Sequence, residues 1–246
     1  MGSLREAAET ARELVREGAE VARAMQGKVT ARDKGGSEGP VTEADLAVER
    51  VLLEGLRARA PGEMVLSEES PPPAPIDTRR LWCVDPVDGT REYLQGLPEY
   101  AVMIGLLRDG RPAAGAMALP GCGQVFWGWE GGGAFVEEGG RERRIELAAP
   151  GDAASTVAIH TRTHEPSRVR AELAKRGITR MIEAGGVGYK VAQLLLGRAH
   201  LYLHPRGGTA WWDSVGPAAI LLAAGGAVAT ASGAPLVYRP DDGLLH

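Results

Sequence analysis

The sequence predicts a layered α/β protein made of two subdomains. Two helical segments come first, short apolar strands separated by turns follow, and strands alternate with helices after Pro150. The chain has 246 residues, of which 44% are hydrophobic and 24% charged, so it can bury a large core in one domain or in two closely packed ones. We expect an N-terminal α+β subdomain over residues 1–150 and a C-terminal α/β subdomain over residues 151–246.

Composition narrows the classes of function. The net charge is -4 with both signs interspersed, so the chain has no basic stripe for a nucleic-acid polymer. No apolar stretch approaches membrane length and residues 1–26 lack a signal-peptide core, so we expect a cytoplasmic protein with no membrane partner. Cys83 and Cys122 are the only cysteines, and we expect both to be reduced packing thiols.

The first two predicted elements are helices. Apolar residues recur at helical spacing up to about Gln26, and a second helix is predicted from Val41 to about Arg59. Within it, Thr42 and Asp45 have the spacing of a capping box, which by itself accounts for Asp45. The glycine-rich segment before this helix is predicted to be a loop.

Strands follow the helices. Residues 64–66 and 81–84 are predicted to be buried strands on either side of a proline-rich connection. Three apolar runs then have the pattern of an antiparallel meander, over residues 100–107, 111–119 and 124–129. Beyond residue 150 the pattern predicts strands over 156–160, 179–183 and 201–204 and helices over 166–176, 187–196 and 212–224.

The segment DPVDGT, residues 85–90, is the most informative part of the sequence. Two aspartates follow a hydrophobic strand that we expect Pro86 to end, and Gly89 permits backbone conformations closed to other residues. In such a turn the two carboxylates, the Val87 carbonyl and the Thr90 hydroxyl can converge, and oxygen ligands of this kind suit Mg²⁺. A turn in which the aspartates only bond backbone amides accounts for the pattern equally well.

Three other kinds of site are disfavoured, two of them by spacing. An aspartyl-phosphate phosphatase of the haloacid dehalogenase type needs two aspartates separated by one residue, whereas Asp85 and Asp88 are separated by two. An EF-hand loop needs a distant bidentate glutamate, which residues 91–94 do not supply in register. His160 and His164 are separated by a predicted strand end and loop, so we interpret them as surface histidines and not as a zinc pair.

Further acids lie at the ends of predicted elements. Glu68 follows a strand as Asp85 does, so neighbouring parallel strands would place both at one rim, although a solvated surface acid also fits. Asp213 follows two tryptophans and opens a helix, where either a capping role or a metal-ligand role fits. Taken singly, none of these acids requires a functional explanation.

Together, four motifs resemble the inositol monophosphatase superfamily of Mg²⁺-dependent, lithium-sensitive phosphatases. The resemblance spans about residues 28–238, and the motifs keep the family's order: VTEAD at residues 41–45, SEE at 67–69, DPVDGT at 85–90 and WDS at 212–214. It implies the family's fold, an α/β protein layered as an αβαβα sandwich.

The resemblance also implies roles for individual residues. Asp45 and Thr90 match residues that activate a water for in-line attack on phosphorus, without a covalent phosphoenzyme. Backbone amides at Gly89 and Thr90 are expected to cradle the phosphate oxygens. Inhibition by Li⁺ is expected from the family. The ligands implied for two to three Mg²⁺ ions are Glu68, Asp85, the carbonyl of Val87, Asp88 and Asp213.

Residues 91–94 point to one branch of this superfamily. They resemble the Lys-Glu-Phe type of the CysQ group of 3′(2′),5′-bisphosphate nucleotidases, whose substrate would be adenosine 3′,5′-bisphosphate, cleaved to AMP and phosphate. Cationic groups near the site suit the second phosphate of such a substrate. The substrate contacts implied by the match are Thr161, Lys190, His204 and Arg206.

The substrate end of the pattern is where this chain departs from the group. Val187 stands where serine is usual, and matching the group's arginine to His204 or to Arg206 depends on a one-residue shift. Residues 32–38 also differ from the commoner loop pattern. An inositol monophosphatase or a fructose-1,6-bisphosphatase therefore stays open as an alternative, as does a catalytically silent nucleotide- or cation-binding protein. We expect the protein to be a monomer or a homodimer.

Overall fold

A computed structural model describes residues 2–33, 40–148, 151–162, 165–204 and 209–245, and its first layer consists of two long helices. α1 spans Leu4–Met25 and α2 spans Glu43–Arg59. Both pack their apolar faces against one side of a large sheet. The predicted helices are confirmed, except that Val41 and Thr42 precede α2, because Thr42 is its cap.

The large sheet follows in the chain, after a short antiparallel pair made of β1 (Ala31–Asp33) and β2 (Pro40–Thr42). Its strands are β3 (Met64–Ser67), β4 (Arg80–Asp88), β5 (Ala101–Arg108), β6 (Arg111–Leu119), β7 (Gln124–Trp129), β8 (Gly133–Glu138) and β9 (Arg141–Arg144). They are hydrogen-bonded in chain order. β3 and β4 are parallel, and all later neighbours are antiparallel. The predicted meander is confirmed, and β8 and β9 extend it beyond the prediction.

β4 runs past Pro86, so the expectation that this proline ends the strand was wrong. Asp85 pairs opposite Met103, the register then shifts, and pairing resumes with Asp88 opposite Ala101. Proline has no N–H to donate to a ladder, and it is tolerated here because it lies within the irregular stretch. The strand therefore carries the chain directly into the acid-rich turn.

The remaining described chain alternates strands with helices, as predicted. The elements are β10 (Val157–Thr161), α4 (Pro166–Lys175), β11 (Arg180–Ala184), α5 (Val187–Leu195), β12 (Leu201–Tyr202) and α6 (Trp211–Ala223). The three strands form a parallel sheet in the order β11-β10-β12. A subdomain boundary near residue 150 stays a prediction.

Helices α5 and α6 lie between the two sheets. One core cluster contains Met103 of β5, Val191 of α5, Ile220 of α6 and Ile159 of β10. α4 packs on the small sheet through a separate cluster that includes Val169. The layers are therefore α1 with α2, the large sheet, α5 with α6, the small sheet and α4, which confirms the αβαβα sandwich.

At Gly216, α6 meets the large sheet through backbone atoms. A Cβ atom on Gly105 would lie 2.3 Å from the backbone nitrogen of Gly216, and one on Gly115 would lie 2.7 Å from the Gly216 oxygen. No side chain fits between β5, β6 and this helix at these positions. The position of α6 relative to the sheet is thereby fixed.

Cys83 is buried, Cys122 is partly buried, and both are free thiols, as expected. Burial raises the pKa of the Cys83 thiol, which keeps it protonated. Within the described ranges, no helix is long and apolar enough to cross a membrane.

His160 is buried, so its interpretation as a surface histidine was wrong. It lies in β10, the central strand of the small sheet, opposite Glu183 of β11. Its Nδ1 atom lies 3.0 Å from the carbonyl oxygen of Thr161. His164 lies outside the described residues.

Candidate active site

The acid-rich turn leaves β4 through a left-handed glycine. Gly89 has φ +84°, and a Cβ atom there would lie 2.8 Å from the carbonyl oxygen of Glu99, so both conformation and space require glycine. The turn then opens the short helix α3 (Thr90–Leu94). The Thr90 hydroxyl donates to the carbonyl oxygen of Val87 at 3.1 Å, which holds these two predicted site residues together.

Glu68 and Asp85 lie at one rim of the large sheet, as predicted from the strand ends. β3 and β4 pair in parallel, with Ser67 opposite Val84, and the Glu68 amide donates to the Val84 carbonyl at 3.2 Å. Burial raises the pKa of Asp85 well above its usual value. Neighbouring carboxylates raise it further; these are Glu68, Asp88, Asp213 and Asp45. The four other predicted acids therefore lie close enough to Asp85 to act on its charge.

Asp45 lies in the first turn of α2 and uses its two oxygens differently. Its Oδ2 atom accepts from the Thr42 amide at 2.8 Å and from the Thr42 hydroxyl at 2.6 Å. Its Oδ1 atom accepts from the Thr90 hydroxyl at 3.4 Å. The predicted capping box is confirmed, and the same carboxylate also contacts the residue with which the resemblance pairs it.

Asp88 is held by a glycine-rich turn at the start of α5. Its Oδ1 atom accepts from the Val187 amide at 2.9 Å, and its Oδ2 atom accepts from the Gly188 amide at 2.6 Å. Burial raises the pKa of Asp88, while Lys190 and these two amides oppose the rise. Val187 thus contributes its backbone amide to this contact.

Asp213 occupies the first turn of α6. Its Oδ2 atom accepts from the Ala210 amide at 2.7 Å, so the predicted first-turn position is confirmed. Burial, followed by the charge of Asp88, raises the pKa of Asp213 to about 7, against the Ala210 hydrogen bond. The carboxylate is thus poised between its charged and neutral forms near neutral pH.

Lys190 brings a buried cation to this acid cluster. Its Nζ atom donates to the Gly185 carbonyl and lies 5.3 Å from the centre of the Tyr202 ring. Burial lowers the pKa of Lys190, and the carboxylates of Asp88, Glu92, Asp213 and Glu99 oppose that change. The His204 ring lies edge-on to Tyr202 with 6.3 Å between ring centres. Lys190 and His204 therefore share one aromatic neighbour.

Of the two other predicted substrate contacts, Thr161 and Arg206, the structure describes only Thr161. Thr161 ends β10 and is buried, with its carbonyl oxygen next to His160. Arg206 lies outside the described residues, as does the loop over residues 34–38.

Tyr202 was missed by the sequence analysis. Its hydroxyl is buried and has no hydrogen-bond partner in the described chain. Burial raises the pKa of Tyr202, and the charges of Asp88 and Asp213 raise it further, so the ring belongs to the acid cluster. Its position two residues before His204 in a short strand was the available signal. Glu92, Glu99 and Arg162 were also not assigned to the site, although they join the turn that holds Asp88.

The donor atoms of the cluster fit a hard divalent cation. Asp85 Oδ1 is buried without a hydrogen-bond partner among the described residues, and the neighbouring donors are carboxylate and carbonyl oxygens, which Mg²⁺ prefers. In the part of the chain that the structure describes, no three His, Cys, Asp or Glu side chains already stand as a complete metal-binding group. The carboxylates are instead bonded to backbone amides of Val187, Gly188 and Ala210.

Comparison with protein families gives one match over nearly the whole chain. The model of the inositol monophosphatase family matches residues 3–246. The chain is 34% identical to the 3′(2′),5′-bisphosphate nucleotidase CysQ of Salmonella typhimurium over 85% of this chain and 83% of that protein. It is 33% identical to the 3′-phosphoadenosine 5′-phosphate phosphatase of Mycobacterium bovis over 82% of this chain and 73% of that protein.

Solved structures of the same fold include CysQ from Bacteroides thetaiotaomicron. That structure has a TM-score of 0.79 and 24% identity, and the match covers 97% of this chain and 93% of that one. An inositol monophosphatase from Anabaena has a TM-score of 0.78 and 24% identity, with coverage of 98% and 90%. These likenesses confirm the fold.

Proposed function

The chain belongs to the inositol monophosphatase family, and within this family we propose that it is a 3′(2′),5′-bisphosphate nucleotidase. The enzyme is a phosphatase, and the proposed reaction removes the 3′-phosphate of adenosine 3′,5′-bisphosphate to give AMP and phosphate. The observation that supports this substrate is the 33–34% identity with bisphosphate nucleotidases over more than four fifths of the chain.

The proposed ligands of Mg²⁺ come from three elements of the fold. Mg²⁺, when bound, would neutralise charge on the phosphate and acidify a water. β4 and the turn after it supply most of the oxygens, β3 supplies one acid from the same rim, and α6 supplies the last. The ligands are Glu68, Asp85, the Val87 carbonyl, Asp88 and Asp213.

Asp45 and Thr90 are the proposed pair for handling the proton of the attacking water. Asp45 is buried, and its Oδ1 atom lies 3.4 Å from the Thr90 hydroxyl oxygen, so a proton can pass to this carboxylate through that hydroxyl. The water oxygen attacks phosphorus, the bond from phosphorus to the ribose 3′ oxygen breaks, and the leaving oxygen takes up a proton. No protein nucleophile is needed.

Substrate contacts divide between the two phosphates of the nucleotide. The amides of Gly89 and Thr90 face the reacting phosphate in the proposal, because they follow the acid turn directly. Lys190 is the proposed cation for the second phosphate, where burial strengthens its attraction for an anion. Thr161 and His204 are proposed to line the nucleotide, as is Arg206.

Phosphate release from three substrates tests the function. With Mg²⁺ present, we expect adenosine 3′,5′-bisphosphate to be hydrolysed with a higher kcat/KM than inositol 1-phosphate or fructose 1,6-bisphosphate. Chelation by EDTA should abolish release, and added Mg²⁺ should restore it. Li⁺ should inhibit.

The other outcomes are equally informative. Preference for inositol 1-phosphate or for the sugar bisphosphate would replace the proposed substrate while leaving the phosphatase chemistry in place. No release from any of the three by folded, Mg²⁺-loaded protein would leave a silent binding protein as the better description.

A further inference from the structure

Arg162 joins two glutamates that are distant in sequence. It follows β10 directly, and its Nη2 atom donates to both carboxylate oxygens of Glu99, at 3.1 and 2.8 Å. Its Nη1 atom donates to Glu92 at 3.3 Å. The Glu99 side chain is 18% exposed and the Arg162 side chain 37%, so the carboxylate is the more shielded partner of this pair. The Arg162 guanidinium therefore links the chain after α3 to the C-terminal end of β10, the central strand of the small sheet.

Glu99 also holds the turn between β11 and α5. Its Oε2 atom accepts from the Gly185 amide at 2.8 Å, and its backbone carbonyl accepts from the Gly186 amide at 3.2 Å. The next two amides of the same turn, those of Val187 and Gly188, donate to Asp88. Four consecutive amides of this turn thus donate hydrogen bonds: the first two donate to Glu99 and the next two donate to Asp88.

Close packing leaves this turn little freedom. A Cβ atom on Gly186 would lie 2.5 Å from Asp88 Oδ2, and one on Gly185 would lie 2.2 Å from the Glu92 carboxyl carbon. The backbone therefore touches both acids directly. A shift of the turn would change the hydrogen bonds that orient the Asp88 carboxylate.

We propose that Glu99 and Arg162 are positioning residues for Asp88, and that they set the affinity of the site for its divalent cation. Arg162 fixes the Glu99 carboxylate, Glu99 fixes the turn at Gly185, and the turn fixes Asp88. This inference rests on the proposed function, because it assumes that Asp88 is a cation ligand. Groups that orient metal ligands typically change metal affinity roughly 10- to 100-fold when removed.

Glu99→Gln and Arg162→Lys test the proposal. Glu99→Gln removes the charge that the guanidinium and the Gly185 amide both use, and Arg162→Lys keeps a charge but loses the two-pronged geometry. We expect Glu99→Gln to raise the Kd for Mg²⁺ about 10-fold or more, measured by titration calorimetry on chelator-treated protein. The double variant should be no worse than the more severe single variant, because the two residues act through one path.

Kinetics separate positioning from general damage. In Glu99→Gln, excess Mg²⁺ should restore kcat toward that of the unchanged enzyme. The KM for the nucleotide measured at saturating Mg²⁺ should stay the same. A residue that only stabilises the fold would lower Tm without this dependence on Mg²⁺.

Glu63→Gln is the matched control. Glu63 pairs with Arg80 at 2.7 Å, and its side chain is 17% exposed, close to the exposure of Glu99. Arg80 begins β4, so this pair lies at the opposite end of the strand from the acid turn. The control should lose Tm and keep the Kd for Mg²⁺.

Two results would overturn the proposal. One is an unchanged Kd for Mg²⁺ in folded Glu99→Gln. The other is an unchanged Kd for Mg²⁺ in Arg162→Lys, and this second result decides the matter if Glu99→Gln does not fold. Asp88→Asn distinguishes a failure of the proposed function. If Asp88→Asn still binds Mg²⁺ as tightly as the unchanged protein, the ligand assignment itself is wrong.

Discussion

Asp45 combines a structural role with a proposed functional role in one carboxylate. Its Oδ2 atom completes the cap of α2 by accepting from Thr42, and Oδ1 lies toward Thr90. Because the cap fixes the plane of the carboxylate, it also fixes where the second oxygen lies. The capping motif in the sequence therefore located this acid without deciding between the two roles.

Replacing Asp88 by asparagine is expected to lower kcat at least about 100-fold, the upper range for loss of a group that only orients a ligand. An asparagine offers one oxygen to two amide donors, so one of the amides of Val187 and Gly188 loses its acceptor. Steady-state kinetics with excess Mg²⁺ measures the loss, and circular dichroism checks the fold.

Asp109→Asn is the control for this charge removal. Asp109 has φ +52° in the turn between β5 and β6, a conformation that asparagine accepts readily. Turnover should not change in this variant. Near-normal turnover in Asp88→Asn itself would contradict a ligand role for that residue.

The sequence located the acids of the site better than their supporting residues. Asp85, Asp88, Glu68 and Asp213 follow or open elements whose hydrophobic patterns are clear, so their convergence followed from the fold. Arg162 is separated from Glu99 by 63 residues and from Glu92 by 70, and nothing local marks the three as partners. Such contacts depend on how the layers pack, which no local pattern encodes.

At the scale of elements, the hardest strands to predict were those that are defined only by their pairing with a neighbouring strand. β9 consists of four exposed charged residues, so it carries no apolar run that could signal a strand. The continuation of β4 past Pro86 depends on β5, which resumes pairing at Asp88. By contrast, α1 was predicted from apolar residues at helical spacing, and β5 to β7 were predicted from apolar runs separated by turn residues.

Thr42→Ala is expected to weaken both the start of α2 and the site. The hydroxyl accepts from the Ala44 amide at 3.1 Å and donates to Asp45, and loss of such a cap costs roughly 0.5–2 kcal/mol. Urea unfolding measures the stability, and kcat should fall because Asp45 loses a partner. Thr42→Ser keeps the hydroxyl and should restore both; a kcat in Thr42→Ala equal to that of Thr42→Ser would contradict the coupling.

Gly105→Ala is expected to push α6 away from the large sheet. The new methyl group would lie 2.3 Å from the backbone nitrogen of Gly216, and such overpacking costs roughly 1–3 kcal/mol. Since α6 carries Asp213 in its first turn, Mg²⁺ affinity should fall together with Tm. Titration calorimetry and thermal unfolding provide the two measurements.

Gly18→Ala on α1 is the matched control. Its nearest contact would be a side-chain atom of Val102 at 3.0 Å, and alanine favours a helix over glycine by about 1 kcal/mol. Its Mg²⁺ affinity should be unchanged. If Gly105→Ala also keeps its Mg²⁺ affinity, the expectation that the position of α6 controls the site is wrong.

At the scale of the whole molecule, the acid cluster should make stability depend on pH and on Mg²⁺ together. The folded-state pKa of Asp213 is raised to about 7, and that of Asp85 is raised as well, above the values of the unfolded chain. The folded protein therefore holds more protons than the unfolded one in this interval, so without Mg²⁺ this contribution to stability is lost as pH rises from about 4 to about 7.

Thermal unfolding in EDTA and in Mg²⁺ at pH 5 and pH 8 tests this dependence. The rise in Tm on adding Mg²⁺ should be larger at pH 8, because the ligands must lose their protons to bind the ion. Asp213→Asn should reduce the difference between the two pH values. An equal rise at both pH values would contradict the role of the cluster.

β9 has a consequence for how copies of this protein meet. The last strand of the large sheet presents Arg-Glu-Arg-Arg to solvent along its whole length. A second molecule that tried to add its own β9 alongside would bring excess positive charge against positive charge, and each ionic group would have to give up water. This charge opposes extension of the large sheet by a second copy at this border.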